Sequence, residues 1–290
     1  MTHSQQTNRL ERFPAQGLID LFRHTFNTLA VQSDLSPSNP VVNEMLTYYV
    51  NAVIEADQEI ADRNQVLKDP GVLAMMQMAL SILSRAEFEM EKHFAEIFEA
   101  TGPMPLSGLN RFWYRANYKA LVKLEMDGIK QFTPQTMADQ RPIAFIGSGP
   151  LPLSAIDYYL LTGKSCTCIE LDESAAKQSM QLIKNIGLDD VITVKSSDGC
   201  HVDYKDYSMI FVAALVQNKV EVLDRIQATA NDAIIGIRSA DGLKQLLYKQ
   251  VSVPDIEAHG FSHVGTTLGN DNAVNSTCFF KAKGVKSPGL

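Results

Sequence analysis

The sequence predicts an α/β protein, a doubly wound sheet preceded by an N-terminal helical bundle. Three observations predict it. Through the first half, apolar residues recur at spacings of three and four, the period of an amphipathic helix. From about Arg141, short β-branched or apolar runs alternate with helical stretches, as a parallel sheet with crossover helices requires. Glycine and proline gather at the breaks and are sparse inside the helical stretches. The change of period places a helical domain over 1–135 and a sheet domain over 136–290.

Helices are expected near 15–31, 40–63, 70–100 and 107–132. "DLSPSNPVV" (Asp34–Val42) separates the first two; Ser38 or Asn39 is placed to cap the second, with Pro40 in its first turn. "KDPGV" and "TGPMPLSG" break the later ones. The third helix carries "SRAEFEMEKHFAEIF". Glu87 and Glu91 are four apart there and share a face bordered by Leu80, Leu83, Met90 and Phe94. Pointing inward, such a carboxylate has a raised pKa and is a better base. The alternative is a solvated acidic face with pairs such as Glu89 and Lys92.

"PIAFIG", "SCTCIEL", "VITVKS", "YSMIFVAAL" and "DAIIGIRS" read as five strands, unbroken apolar runs suited to burial on both faces of a parallel sheet. "ESAAKQSMQLIKNIG" and "NKVEVLDRIQATA" are the helices among them. "FSHVGTTLGNDNAVNSTCFFKAK" reads as two further strands, an antiparallel pair at the sheet edge.

A doubly wound sheet binds its ligand at the carboxyl ends of the strands. Gly147, Ser148 and Gly149 follow the first strand, where glycine allows close backbone approach. Glu170 ends the second and can accept from a ribose diol; Asp198 follows the third and can accept from an exocyclic adenine amine. Pro150, Leu171 and Gly199, at the same strand ends, and Ala213, in the fourth run, complete the expected cofactor-binding set. "GSGPLP" departs from a dinucleotide fingerprint, because Pro152 stands where the third glycine belongs and proline donates no N–H. S-adenosylmethionine has no phosphate and suits this turn; NAD is the runner-up.

Asp157 lies one helical turn beyond, in an apolar stretch. It faces an ammonium in one reading and only the helix dipole in the other. Arg238, at the end of the fifth strand, either grips a substrate carboxylate through two donors, with Tyr248 assisting, or forms a surface salt bridge.

A formal net charge of −7 and the lack of a dense Lys/Arg cluster argue against a nucleic-acid partner. No window approaches the roughly 20 apolar residues of a membrane span, and "MTHSQQTNRLERFPAQG" lacks a signal-peptide core. A cytoplasmic protein is expected. The four cysteines, Cys166, Cys168, Cys200 and Cys278, read as reduced thiols, Cys166 and Cys168 on one face of a strand. No Cys/His set has zinc spacing, so no metal is expected. His93 and His201 are lone histidines in solvated or core roles.

"FIGSGPLPLS" (Phe145–Ser154), "DLSPSNPVVNEML", "NYKALVKLE" (Asn117–Glu125), "FVAALV", "IRSADGLKQLLY" (Ile237–Tyr248) and "NDNAVNS" resemble segments of the nicotianamine synthase family in the same order, over almost the whole chain. The resemblance implies a helical domain on a class I methyltransferase-like, Rossmann-like domain. It implies that S-adenosylmethionine is a co-substrate donating its 3-amino-3-carboxypropyl group and leaving methylthioadenosine. It places the catalytic glutamate in the third helix, at Glu91 or else Glu87, and an active-site tyrosine at Tyr118, whose alternative is a core tyrosine. Trp113 and Tyr114 are expected to be packing or pocket wall. The bacterial branch resembles opine-metallophore enzymes that add one aminobutyrate unit to histidine, and the chain's lack of the plant extensions points to the microbial side. The alternatives are condensation of three donors into nicotianamine, ordinary methyl transfer, and a non-catalytic metallophore carrier. A homodimer is compatible with the sequence, which indicates no interface.

Overall fold

The protein is described from a computed structural model covering residues 14–230 and 232–282. The polar N-terminal stretch as far as Phe13, and Lys283 at the end of the expected last strand, lie outside the described residues. The chain divides into two compact units. One runs to Leu83 and takes in Gly242–Leu247; the other comprises Ser84–Asp241 and resumes at Tyr248. This division does not coincide with the change of period near 135. The helical stretches from Ser84 to Phe132 cluster with the sheet, because their apolar faces pack on it.

In the first unit, α1 (Ala15–Leu29) presents Phe22 and Phe26 to Tyr49 of α2 (Pro40–Glu59). Asn39 is the N-cap of α2, its side chain accepting from the Val41 N–H at 3.1 Å, with Pro40 at the first helical position. The helix stops at Glu59, short of the expected 63. Arg63 folds back to donate to the Asp57 carbonyl at 2.6 Å and to pair with the Asp57 carboxylate at 2.7 Å, which satisfies a terminal carbonyl of the helix. The short α3 (Asn64–Leu67) follows, and then α4 (Pro70–Thr101), inside which the division between the units falls.

The second unit holds the rest of α4, then α5 (Arg115–Phe132) and a seven-stranded sheet. The strands and helices run β1 (Ile143–Ile146), α6 (Leu153–Thr162), β2 (Cys166–Glu170), α7 (Glu173–Asn185), β3 (Ile192–Ser196), β4 (Met209–Val212), α8 (Lys219–Thr229), β5 (Ile234–Ser239), α9 (Val253–Ala258), β6 (Phe261–Thr267) and β7 (Ser276–Ala282). The sheet order is β3-β2-β1-β4-β5-β7-β6. β1 to β5 pair in parallel, and β7 enters antiparallel between β5 and β6. This is the class I methyltransferase-like α/β fold. β1, β2, β4 and β5 are buried throughout, as unbroken apolar runs require. β3 is not: it lies at the sheet edge and exposes Thr193, Lys195 and Ser196.

Two cores cover the two faces. On one, Phe94 and Phe98 of α4 and Val122, Met126 and Ile129 of α5 join Phe145, Phe211 and Tyr158. On the other, Val222, Leu223 and Ile226 of α8 meet Ile146, Ile210 and Ile235. Gly128 lets α5 lie close on β6 and β7, since a Cβ there would strike Thr267 and the Phe279 ring. Cys166 and Cys168 are buried in the first core, and all four cysteines are free. No described helix is long and apolar enough to cross a membrane.

Candidate active site

The site assembles at the carboxyl ends of the parallel strands, within the second unit. β1 ends in Gly147-Ser148-Gly149, with both glycines at positive φ (72° and 67°). The Gly149 N–H donates to Glu170 Oε2 at 2.8 Å, and the Asp172 N–H donates to Glu170 Oε1 at 2.9 Å. Glu170 thus ties the loop after β1 to the loop after β2, and each of its oxygens keeps a second lone pair. Beyond Gly149 the chain is stiffened by Pro150 and by Pro152, the N-cap of α6.

Gly149 also faces α4. A Cβ at this position would collide with the Glu91 carboxylate. The glycine therefore does two things: it adopts a backbone conformation that other residues rarely hold, and it admits the acid of α4 to the loop.

Glu91 is 7% exposed, and its Oε1 accepts from the Tyr118 hydroxyl of α5 at 2.5 Å. One helical turn earlier, Glu87 Oε2 accepts from the Tyr248 hydroxyl at 2.8 Å. Burial lifts Glu91 to about 8, and the neighbouring Glu87 charge adds to the rise against the opposing Tyr118 bond. Burial lifts Glu87 to about 7, against the Tyr248 hydrogen bond and the Arg238 charge. Neither carboxylate bonds a cation among the described residues. The solvated-face alternative does not describe them. Lys92 lies over the Phe88 ring at 5.6 Å instead of pairing with Glu89.

Two expected contacts are otherwise engaged. Both Asp157 oxygens accept from the Arg115 guanidinium of α5, in a buried ion pair. Asp157 is therefore not a free acid facing an ammonium; its charge is matched inside the protein. Arg238 is likewise no surface salt bridge. Its Nε and Nη2 donate to Glu125 at 2.9 and 3.1 Å, and Nη2 also donates to Ser154 Oγ at 2.8 Å. Glu125 is fully buried and accepts from Thr277 Oγ1 at 2.8 Å and Tyr158 at 3.3 Å. Arg238 Nη1 makes no hydrogen bond to the described residues.

The remaining expected positions ring the strand ends. Asp198 Oδ1 accepts from the Cys200 N–H at 2.9 Å and from Asn218 at 3.3 Å, leaving Oδ2 open; the backbone bond holds its carboxyl below the usual range. Gly199 is buried behind it, and Ala213 follows β4. Leu171 is 66% exposed beside Glu170, and the Ser148 hydroxyl is buried without a partner. Among the described residues, no group of three His, Cys, Asp or Glu side chains is placed to hold a metal ion.

The sequence model of the nicotianamine synthase protein family matches residues 15–287. The chain belongs to the nicotianamine synthase family. Nicotianamine synthase 2 of Arabidopsis thaliana is 28% identical over 269 residues, 89% of this chain and 82% of that protein. Nicotianamine synthase 3 of the same plant is 31% identical over 230 residues, 72% of this chain and 68% of that one. Among solved structures, MtNAS in complex with MTA and tNA has a TM-score of 0.76 at 21% identity, covering 91% of this chain and 97% of its own. A glutamate-to-glutamine variant of MtNAS in complex with S-adenosylmethionine gives 0.75 at 20% identity over the same shares of the two chains. These two share the fold.

Sequence reasoning missed Arg115, Glu125 and Ser154. Glu125 and Arg115 had a signal: both fall on the face of α5 that carries Val122 and Met126, and a charge on an apolar face needs a buried partner. The partners lie 113 and 42 residues away, so nothing local names them.

Proposed function

We propose that this S-adenosylmethionine-dependent transferase moves one 3-amino-3-carboxypropyl group onto the α-amine of histidine, releasing methylthioadenosine, as a step of metallophore biosynthesis in the cytoplasm. The observation that carries the reading is the hydrogen-bonded pair of the buried Glu91 and the half-buried Tyr118, set against Gly149 of the loop after β1.

The strand-end residues fit the donor. Glu170 has lone pairs for a ribose diol, Asp198 Oδ2 is open to an adenine amine, and Leu171 offers an exposed apolar side chain beside them. Arg238 Nη1 is the donor left for a substrate carboxylate. When bound, S-adenosylmethionine supplies a carbon activated by the adjacent sulfonium. The acceptor nitrogen must reach that carbon without its proton. Glu91 takes the proton, helped by a pKa near the working pH, while Tyr118 holds the carboxylate in place. The new C–N bond replaces the C–S bond, whose electron pair stays on sulfur. Free cysteines suit a reducing compartment.

A second reading, condensation of three donors into nicotianamine, is favoured by the names of the curated relatives. Purified protein incubated with S-adenosylmethionine alone, with L-histidine and with D-histidine, followed by mass spectrometry, separates the two. The proposal expects a histidine adduct carrying one aminobutyrate unit and no product without histidine. Nicotianamine from the donor alone would replace it with the second reading.

A further inference from the structure

The proton transfer by Glu91 uses no part of Glu87, yet Glu87 is hydrogen-bonded into the site as Glu91 is. It lies one turn earlier on the same face of α4, roughly 5–6 Å away at the Cβ level. It is held by its own phenol, Tyr248, as Glu91 is held by Tyr118. Around the pair stand Tyr114, Tyr118, Tyr248, Glu170 and Arg238. The one cation among these is Arg238, and its Nε and Nη2 are committed to Glu125. Two partly or wholly buried carboxylates without a bonded cation make a place that a positive ligand would complete.

We propose that Glu87 and Glu91 form a single seat for the acceptor's ammonium, with Glu87 as the positioning carboxylate that holds the nitrogen for Glu91. This rests on the aminobutyrate-transfer reading and deepens it. Before the acceptor arrives, burial of both carboxylates, with the Glu87 charge beside Glu91, favours holding a proton on the pair near neutral pH. An entering ammonium supplies the missing positive charge, so a proton leaves to solvent as it binds. Glu87 then stays ionised against the nitrogen, and Glu91 is free to accept from it. The acceptor class that follows is a primary amine that carries its positive charge on entry. A neutral amine isostere gains nothing from the pair.

The test uses the full chain and histidine. Steady-state assays of methylthioadenosine release give KM and kcat for the wild type and for Glu87→Gln. Calorimetry with histidine in the presence of methylthioadenosine, run near pH 7 in two buffers of different ionisation enthalpy, counts protons released on binding. The expected result is proton release by the wild type, its loss in Glu87→Gln, and a histidine KM raised about tenfold or more with kcat changed far less. Tyr248→Phe, which keeps the carboxylate and removes the phenol that holds it, should move KM in the same direction by a smaller factor. An unchanged KM with intact proton release in Glu87→Gln overturns the inference while leaving the transfer reading in place. A kcat that collapses at unchanged KM overturns it too, and moves Glu87 into the chemistry. No methylthioadenosine from the wild type with any amine would remove the reading itself, and this inference with it.

Discussion

The Tyr118 hydroxyl and the Glu91 carboxylate are joined by a hydrogen bond of 2.5 Å that links α5 to α4 beside the loop after β1. A phenol donating to a carboxylate leaves the carboxylate's other oxygen to act, and Glu91 Oε2 is the atom that faces Gly149. Glu91→Gln keeps the shape and the acceptor oxygen for Tyr118 but cannot take a proton. Its transfer rate should fall by about 10²–10⁴-fold with donor affinity retained. Paired rate and equilibrium-binding measurements check this, and near wild-type turnover would remove Glu91 from the mechanism.

The same carboxylate should leave a mark on stability. Its folded-state pKa of about 8 lies above the ordinary carboxylate value of 4.5, so the folded state holds a proton that the unfolded chain releases. The stability tied to that proton is present below the ordinary value and is lost as pH rises through about 8. Glu91→Gln should therefore stabilise the protein at pH 9 by on the order of a few kcal/mol, with little difference at pH 4. Denaturant melts at the two pH values measure it.

Glu170 accepts from the backbone of both loops that would flank a nucleoside. Glu170→Ala removes these acceptors and should weaken S-adenosylmethionine binding by about tenfold or more, with a smaller effect on the rate at saturating donor. Calorimetric titration of the donor reads the first effect, and a saturating rate assay the second.

Asp157 and Arg115 are both buried, and the Arg115 Nε already lacks a partner. Asp157→Ala strands the guanidinium and should cost about 3–5 kcal/mol of stability. Replacing both residues by apolar ones of similar size should recover much of the loss. Unfolding free energies of the single and double variants decide between a structural ion pair and a binding acid.

Much of this was legible in the residues. Asn39 and Pro40 announce α2 by local chemistry alone. The apolar runs from Ile143 to Ser239 give the parallel strands, because a strand buried on both faces has no polar side to show. Strand order was not legible, although the polar Thr193, Lys195 and Ser196 of β3 do mark a strand with an exposed side. Glu87 and Glu91 stand out by spacing, but only tertiary packing supplies Tyr118 and Tyr248. Asp157 and Arg238 look free in sequence because their partners, Arg115 and Glu125, sit on a helix that precedes the sheet. An ion pair closed across such separations leaves no periodic trace, whereas a cap or a buried strand does.

The central claim concerns which carbon on sulfur is attacked. Chromatography of the nucleoside released from S-adenosylmethionine during turnover with the amine acceptor tests it most directly. Transfer of the aminobutyrate group predicts methylthioadenosine, formed in proportion to the acceptor consumed. Release of S-adenosylhomocysteine in its place would contradict the account and make the chain a methyltransferase.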